Sequence, residues 1–124
     1  MGGTLDITVR DERGVVVAAV AGEIDISSVA QLRERLYELA DNGGTLIVDL
    51  NRVTFIDSAG LGALVGTARR AAENGGSLYA VCAQPQPRRL LWLTGADKRI
   101  PLAATVAGAL MLQETSQGSS GPPC

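Results

Sequence analysis

The chain has 124 residues, the size of one ordinary domain around one hydrophobic core. Hydrophobic residues make up 46% of it but aromatics only 3%, so the core must be built from Leu, Val, Ile and Ala. A net charge of −2, without a basic face interleaved with aromatics, argues against nucleic acid or an anionic membrane as partner. The absence of histidine removes Ser-His-Asp and Cys-His triads, histidine phosphorelay and nearly all ordinary zinc chemistry.

No apolar run reaches the roughly 18 to 20 residues that span a bilayer. The opening "MGGTLDITVR" lacks the charged-then-apolar profile of a signal peptide, so the expected location is the cytoplasm. Cys82, in "SLYAVC", reads as a small buried hydrophobe, and Cys124 stands at the end of the chain. Two such cysteines make neither a disulfide framework nor a metal site, and no cofactor or metal is expected.

Taken from the N-terminus, "LDITVR" (residues 5–10) alternates apolar and polar as a half-buried strand does. "DERG" is a turn, and "VVVAAVAG" (residues 15–22) is a second strand that completes a hairpin. A helix follows, with Ser28 and Gln31 at the spacing of a capping box and Val29, Leu32, Leu36 and Leu39 on one face. Asn42-Gly43 ends it. "TLIVDL" (residues 45–50) is an almost continuous apolar run, the pattern of a central strand covered on both faces. A second helix is predicted over 58–74, where Leu61, Leu64, Val65, Ala68 and Ala72 recur at helical spacing. "SLYAVC" (residues 77–82) is another central strand, and Pro87 suits the first position of a third helix running to about residue 94. "KRIPL" (residues 98–102) is a short strand that Pro101 confines to a sheet edge, and Thr105 caps a last helix, "VAGALML". From Gln113 onward periodicity is lost, and residues 113–124 are expected to be a disordered tail. The order β-β-α-β-α-β-α-β-α predicts a single α/β domain over 4–112. Its sheet is mixed but mostly parallel, with helices packed against it.

The stretch "FIDSAGLG" (residues 55–62) lies where a strand hands over to a helix. Asp or Ser at this point is how helices begin, each worth about 1 kcal/mol as an N-cap. Capping leaves Gly60, Gly62 and Gly66 unexplained, since each costs roughly 1 kcal/mol relative to Ala in a helix. A helix that accepts three such costs at one end leaves room there for a neighbouring backbone or a partner. The stretch lacks the Lys-Ser/Thr ending of a P-loop and the spacing of a dinucleotide fold. It also lacks the G-x-S-x-G of a nucleophile elbow, because residue 56 is Ile. A phosphorylation site fits: the positive end of a helix favours an added phosphate, which brings about −1.5 to −2 charges. Such a charge beside Asp57 would disturb an acidic or apolar docking surface without refolding the domain.

"GEID" (residues 22–25), "VDL" (48–50) and "VTFIDSAGLGALVG" (53–66), in this order and spacing, resemble the STAS domain of bacterial anti-sigma factor antagonists. The resemblance spans about residues 4 to 112 and includes "GGSL" before the fourth strand and "LTG" at the third helix. It implies a STAS-like fold and a regulatory binding module, not an enzyme. Ser58 matches the phosphoacceptor of the D-S-[ST]-G motif, Asp57 its neighbour and Gly60 the motif glycine. The implied partners are an anti-sigma factor with serine kinase activity, using ATP and magnesium, and a metal-dependent serine/threonine phosphatase that reverses the modification. The unphosphorylated antagonist binds the anti-sigma factor and so releases a sigma factor. Asp25 matches the acidic residue of the family's G-E-[IL]-D loop. The implied partner surface comprises Glu23, Asp25, Asp57, Ala59, Gly60, Gly62, Ala63 and Gly66, with Leu61 turned to the core. Glu23 and Asp25 also read as solvated residues of a turn. Ala59 departs from the family by replacing the second hydroxyl of the motif, and "VAGAL" stands where relatives often carry acids. Two other functions compete. One is a STAS accessory subunit that binds the ATPase of a membrane transport complex, without itself touching the membrane. The other is a small nucleotide-binding protein, for which the chain lacks a P-loop and a metal cluster.

Overall fold

Five strands form one sheet in the spatial order β1-β2-β3-β4-β5. The computed structural model describes residues 4–119. Along the chain come β1 (Asp6–Glu12), β2 (Val15–Ile24), α1 (Val29–Asp41), β3 (Thr45–Ile56), α2 (Ser58–Glu73) and β4 (Ser77–Val81). Then follow α3 (Pro85–Thr94), a single 3-10 turn (Ala96–Lys98), β5 (Leu102–Ala103) and α4 (Val106–Ser119). β1 runs antiparallel to β2, and the other three pairings are parallel. The hairpin closes through Arg13 and Gly14, both at positive φ, the geometry whose twist matches the flanking strands. This is the mixed, mostly parallel sheet that the element order implies.

Alternation along the central strands divides the core between two faces. Ala18, Val20, Leu46, Val48 and Leu50 pack with Leu32 and Leu36 of α1, Leu64 of α2 and Leu91 of α3. Val15, Val17, Ile47, Tyr79 and Val81 pack on the other side with Ala109 and Leu110 of α4. Period-two alternation sends neighbouring strand residues to opposite faces, so strands apolar at every position need a helix on each side.

Several boundaries differ from those read in the sequence. β3 runs six residues past Leu50, to Ile56, because β2 keeps pairing with it as far as Ile24 opposite Ile56. Arg52 and Thr54 are exposed, and the half-buried Asn51 bonds the Ala83 amide and the Ala104 carbonyl, so these residues break the apolar run without breaking the strand. α3 starts at Pro85, so Pro87 is its third residue and is buried. β5 shrinks to Leu102–Ala103 at the sheet edge, with Lys98 in the preceding turn and the Pro101 carbonyl accepting from the Ala80 amide at 3.0 Å. Thr105 caps α4 by accepting from the Gly108 amide at 3.0 Å. The disordered tail expected from Gln113 onward does not begin there. α4 continues to Ser119, and Gln113 is buried. Residues 120–124 lie outside the described residues. Among the described residues no helix is long and apolar enough to cross a membrane.

Candidate functional site

The site is built where the parallel strands β2 and β3 end. Asp57 follows the last residue of β3 in extended conformation, and its Oδ1 accepts from the Gly60 amide at 3.0 Å. Its carbonyl accepts the first helical bond, from Leu61 N at 2.9 Å. Asp57, not Ser58, is therefore the N-cap, and Ser58 is the first helical residue. Ser58 is exposed, and its hydroxyl has no hydrogen-bond partner among the described residues. The helix dipole and the first-turn amides of α2 make this the positive end of the helix.

A second loop lies against the motif. The Asp57 amide donates to the Ile24 carbonyl at 3.1 Å, joining the start of α2 to the end of β2. The expected capping box of Ser28 and Gln31 does not form. Ser28 Oγ instead accepts from the Asp25 amide at 3.1 Å and donates to the Glu23 carbonyl at 2.8 Å, which tightens the turn after β2. Gln31 is drawn away to the edge of the sheet, where its amide bonds both the N–H and the carbonyl of Leu5. Asp25 Oδ1 accepts from the Ser27 hydroxyl at 2.6 Å and the Ser27 amide at 3.0 Å. Those bonds, the hydroxyl first, outweigh its partial desolvation and hold its carboxyl below the usual carboxylate range. The residue is thus a negative charge fixed in place.

Two apolar side chains overlooked in the sequence complete the rim. Ile26, at the tip of this loop, is 78% exposed, and Phe55, opposite Glu23 in the strand register, is 41% exposed. Plain alternation would place Phe55 on the buried face of Val53, but the register slips between Gly22 opposite Val53 and Glu23 opposite Phe55, and that irregularity turns the ring out to solvent. Ile26 lies between two polar residues and carries no periodic signal. A third overlooked residue, Gln86, anchors the base. Its Oε1 accepts from Ile56 N and its Nε2 donates to Ile56 O, both at 2.9 Å. It thereby acts as a strand partner for the residue that precedes Asp57.

The residues assigned to the partner surface divide. Glu23, Asp25, Asp57 and Gly62 are exposed or half-exposed at this end, as is the expected phosphoacceptor Ser58. Ala59 is half-buried against the core. Gly60, Ala63 and Gly66 face the interior instead. A Cβ at Gly60 would stand 2.5 Å from Ile24 Cγ2 and 2.6 Å from Ile56 Cγ1, and one at Gly66 would strike the Tyr37 hydroxyl. These glycines make room for strand ends and for α1, not for another protein. Leu61 is only partly buried, so the inner stripe of α2 is rotated from the one its larger residues suggest.

The STAS domain family model matches residues 6–109. The anti-sigma-B factor antagonist of Bacillus subtilis is 34% identical over 106 residues, 86% of this chain and 97% of that protein. The anti-sigma-F factor antagonist of Mycobacterium tuberculosis is 36% identical over 109 residues, 86% of this chain and 88% of that protein. The crystal structure of an anti-sigma factor antagonist from Mycobacterium paratuberculosis superposes with a TM-score of 0.81 at 33% identity, covering 87% of this chain and 92% of that one. The chain belongs to the STAS domain family of the bacterial anti-sigma factor antagonists.

Proposed function

We propose that this protein is an anti-sigma factor antagonist of the cytoplasm, whose docking on a cognate anti-sigma factor is gated by phosphorylation of Ser58. In the unmodified state the anti-sigma factor covers the Ser58 end of α2 together with Ile26, Phe55 and the Glu23–Asp25 turn, and lets go of its sigma factor. The anti-sigma factor also acts as the serine kinase. A bond forms between Ser58 Oγ and the γ-phosphorus of ATP, the bond from that phosphorus to ADP breaks, and the hydroxyl proton leaves. The phosphate adds about −1.5 to −2 charges beside Asp57, Asp25 and Glu23. Desolvating that cluster against a partner then costs more than the contacts return, and the complex separates. A serine/threonine phosphatase restores the hydroxyl. The protein is the substrate and the binding module in this cycle, not the catalyst.

The exposed Ser58 hydroxyl at the start of α2, next to the Asp57 cap and tied through the Asp57–Ile24 hydrogen bond to the end of β2 and its fixed Asp25, is the observation that supports this reading. Ala59 removes the neighbouring hydroxyl, so a single phosphorylation position is expected. Incubation with candidate anti-sigma kinases and ATP-magnesium, followed by peptide mass spectrometry, is expected to place one phosphate on Ser58. Labelling elsewhere, or undiminished labelling of Ser58→Ala, contradicts the proposal.

A further inference from the structure

α3 presents an outer face whose large apolar side chains are left exposed among the described residues. Pro87 and Leu91 anchor it to the core, while Trp92 is 67% and Leu93 60% exposed. Arg88 and Arg89 lie four residues before them, so each Arg stands above one of the two apolar side chains on the helix surface. Lys98 and Arg99 are exposed just beyond the helix. Between residues 83 and 100 the only carboxylate is Asp97, in a chain whose overall charge is −2. None of these four cations is in an ion pair among the described residues. Arg88 does donate to the Cys82 carbonyl at 2.8 Å, which holds its guanidinium near the helix start.

From this face we infer a second half to the docking surface: the anti-sigma factor meets α3 with an acidic patch around an apolar recess that takes the Trp92 indole. The inference rests on the switch described above. Three observations support it. Gln86 ties the first turn of α3 to Ile56, next to Asp57, and Trp92 lies six residues on, about 9 Å along the helix axis. A standard interface covers about 800 Å² on each partner, so one protein seated over Ser58 extends over the start of α3. It meets the indole by wrapping the helix, since Trp92 stands roughly 240° of helical rotation from Gln86. An exposed Trp flanked by Arg is the composition of interface hot spots, and unpaired cations call for carboxylates opposite. A lipid surface or a nucleic acid offers uniform negative charge over an area larger than this face, and the chain as a whole carries −2. A local acidic patch meets the cations alone.

The test uses the anti-sigma factor that labels Ser58, with affinities measured by calorimetry for the full chain and for Arg89→Glu, Trp92→Ala, Ser58→Glu and, as a control on α1, Arg33→Glu. Arg89→Glu and Trp92→Ala are each expected to weaken binding at least about tenfold, while Arg33→Glu stays within about twofold of the unsubstituted chain. Trp92 is the single tryptophan, so 5-fluorotryptophan incorporated in this chain alone gives one fluorine resonance, expected to shift when the complex forms. Unchanged affinity in both α3 variants, with an unmoved resonance, overturns the inference even if Ser58→Glu still abolishes binding. Full binding by Ser58→Glu overturns the switch, whereas the α3 variants and the resonance still judge this face. A resonance that shifts with phosphatidylglycerol vesicles or duplex DNA, but not with the anti-sigma factor, also overturns the α3 assignment.

Discussion

With its carboxylate accepting from the Gly60 amide, Asp57 closes the first turn of α2 and leaves the Ser58 hydroxyl facing solvent. With Asp57 as the cap, the proposed modification of Ser58 leaves the capping hydrogen bond to Gly60 in place. The glycines beside it differ in kind. Gly60→Ala would drive a methyl group into Ile24 and Ile56 and is expected to destabilise the fold by about 1–3 kcal/mol. Gly62→Ala, with open space around its Cβ position, is expected to stabilise it by up to about 1 kcal/mol. Urea denaturation of the two variants checks the pair, and equal effects would contradict the assignment of faces. Their difference was not legible in the sequence. The cost of three glycines was visible there, but whether they admit a partner or a neighbouring strand depends on how α2 rotates. That rotation follows from Tyr37 and Ile24, residues far away in the chain.

At the scale of elements, α1 and α2 are joined by a bidentate ion pair at their outer ends. Arg70 Nε and Nη2 donate to Asp41 at 3.0 and 2.6 Å, and its guanidinium lies 4.6 Å from the Tyr37 ring centroid. The Arg70 hydrogen bonds, more than its charge, hold the Asp41 carboxyl below the usual carboxylate range. A carboxyl whose folded pKa is depressed stabilises the fold above the pKa it has when unfolded. That stability is lost as pH falls through the folded value. Asp25, lowered by Ser27, acts in the same direction. Thermal midpoints measured between about pH 6 and about pH 3 are therefore expected to fall less steeply for Asp41→Asn than for the unsubstituted chain. Identical slopes would contradict the assignment. The motif "GEID" pointed to Asp25, yet the capping box proposed beside it failed. Ser28 found nearer partners in the turn, and Gln31 a more demanding one in the unpaired edge at Leu5. Local spacing cannot register a competitor 26 residues away.

Across the whole molecule, the order of strands and helices was legible because β2, the first half of β3 and β4 are apolar on both faces and the helices carry clear stops. The ends of elements were not. The outward polar residues of β3 hid its second half, and α4 passes Gln113 without an apolar signal because its sheet-facing stripe there includes a buried amide. Gln113 Oε1 has no hydrogen-bond partner among the described residues, an arrangement that costs about 1–3 kcal/mol. Gln113→Leu is accordingly expected to raise the thermal midpoint, and a lower one would show that the amide is satisfied in solution. The larger consequence of the architecture is that one end of the sheet gathers the turn after β2, the overhang of β3, the start of α2 and the first turn of α3. The phosphate proposed on Ser58 would act on all four at once. The most direct test compares, by calorimetry, the affinity of the anti-sigma factor for this protein with Ser58 unmodified and with Ser58 fully phosphorylated. A loss of at least about tenfold on phosphorylation is predicted, and equal affinities would contradict the account.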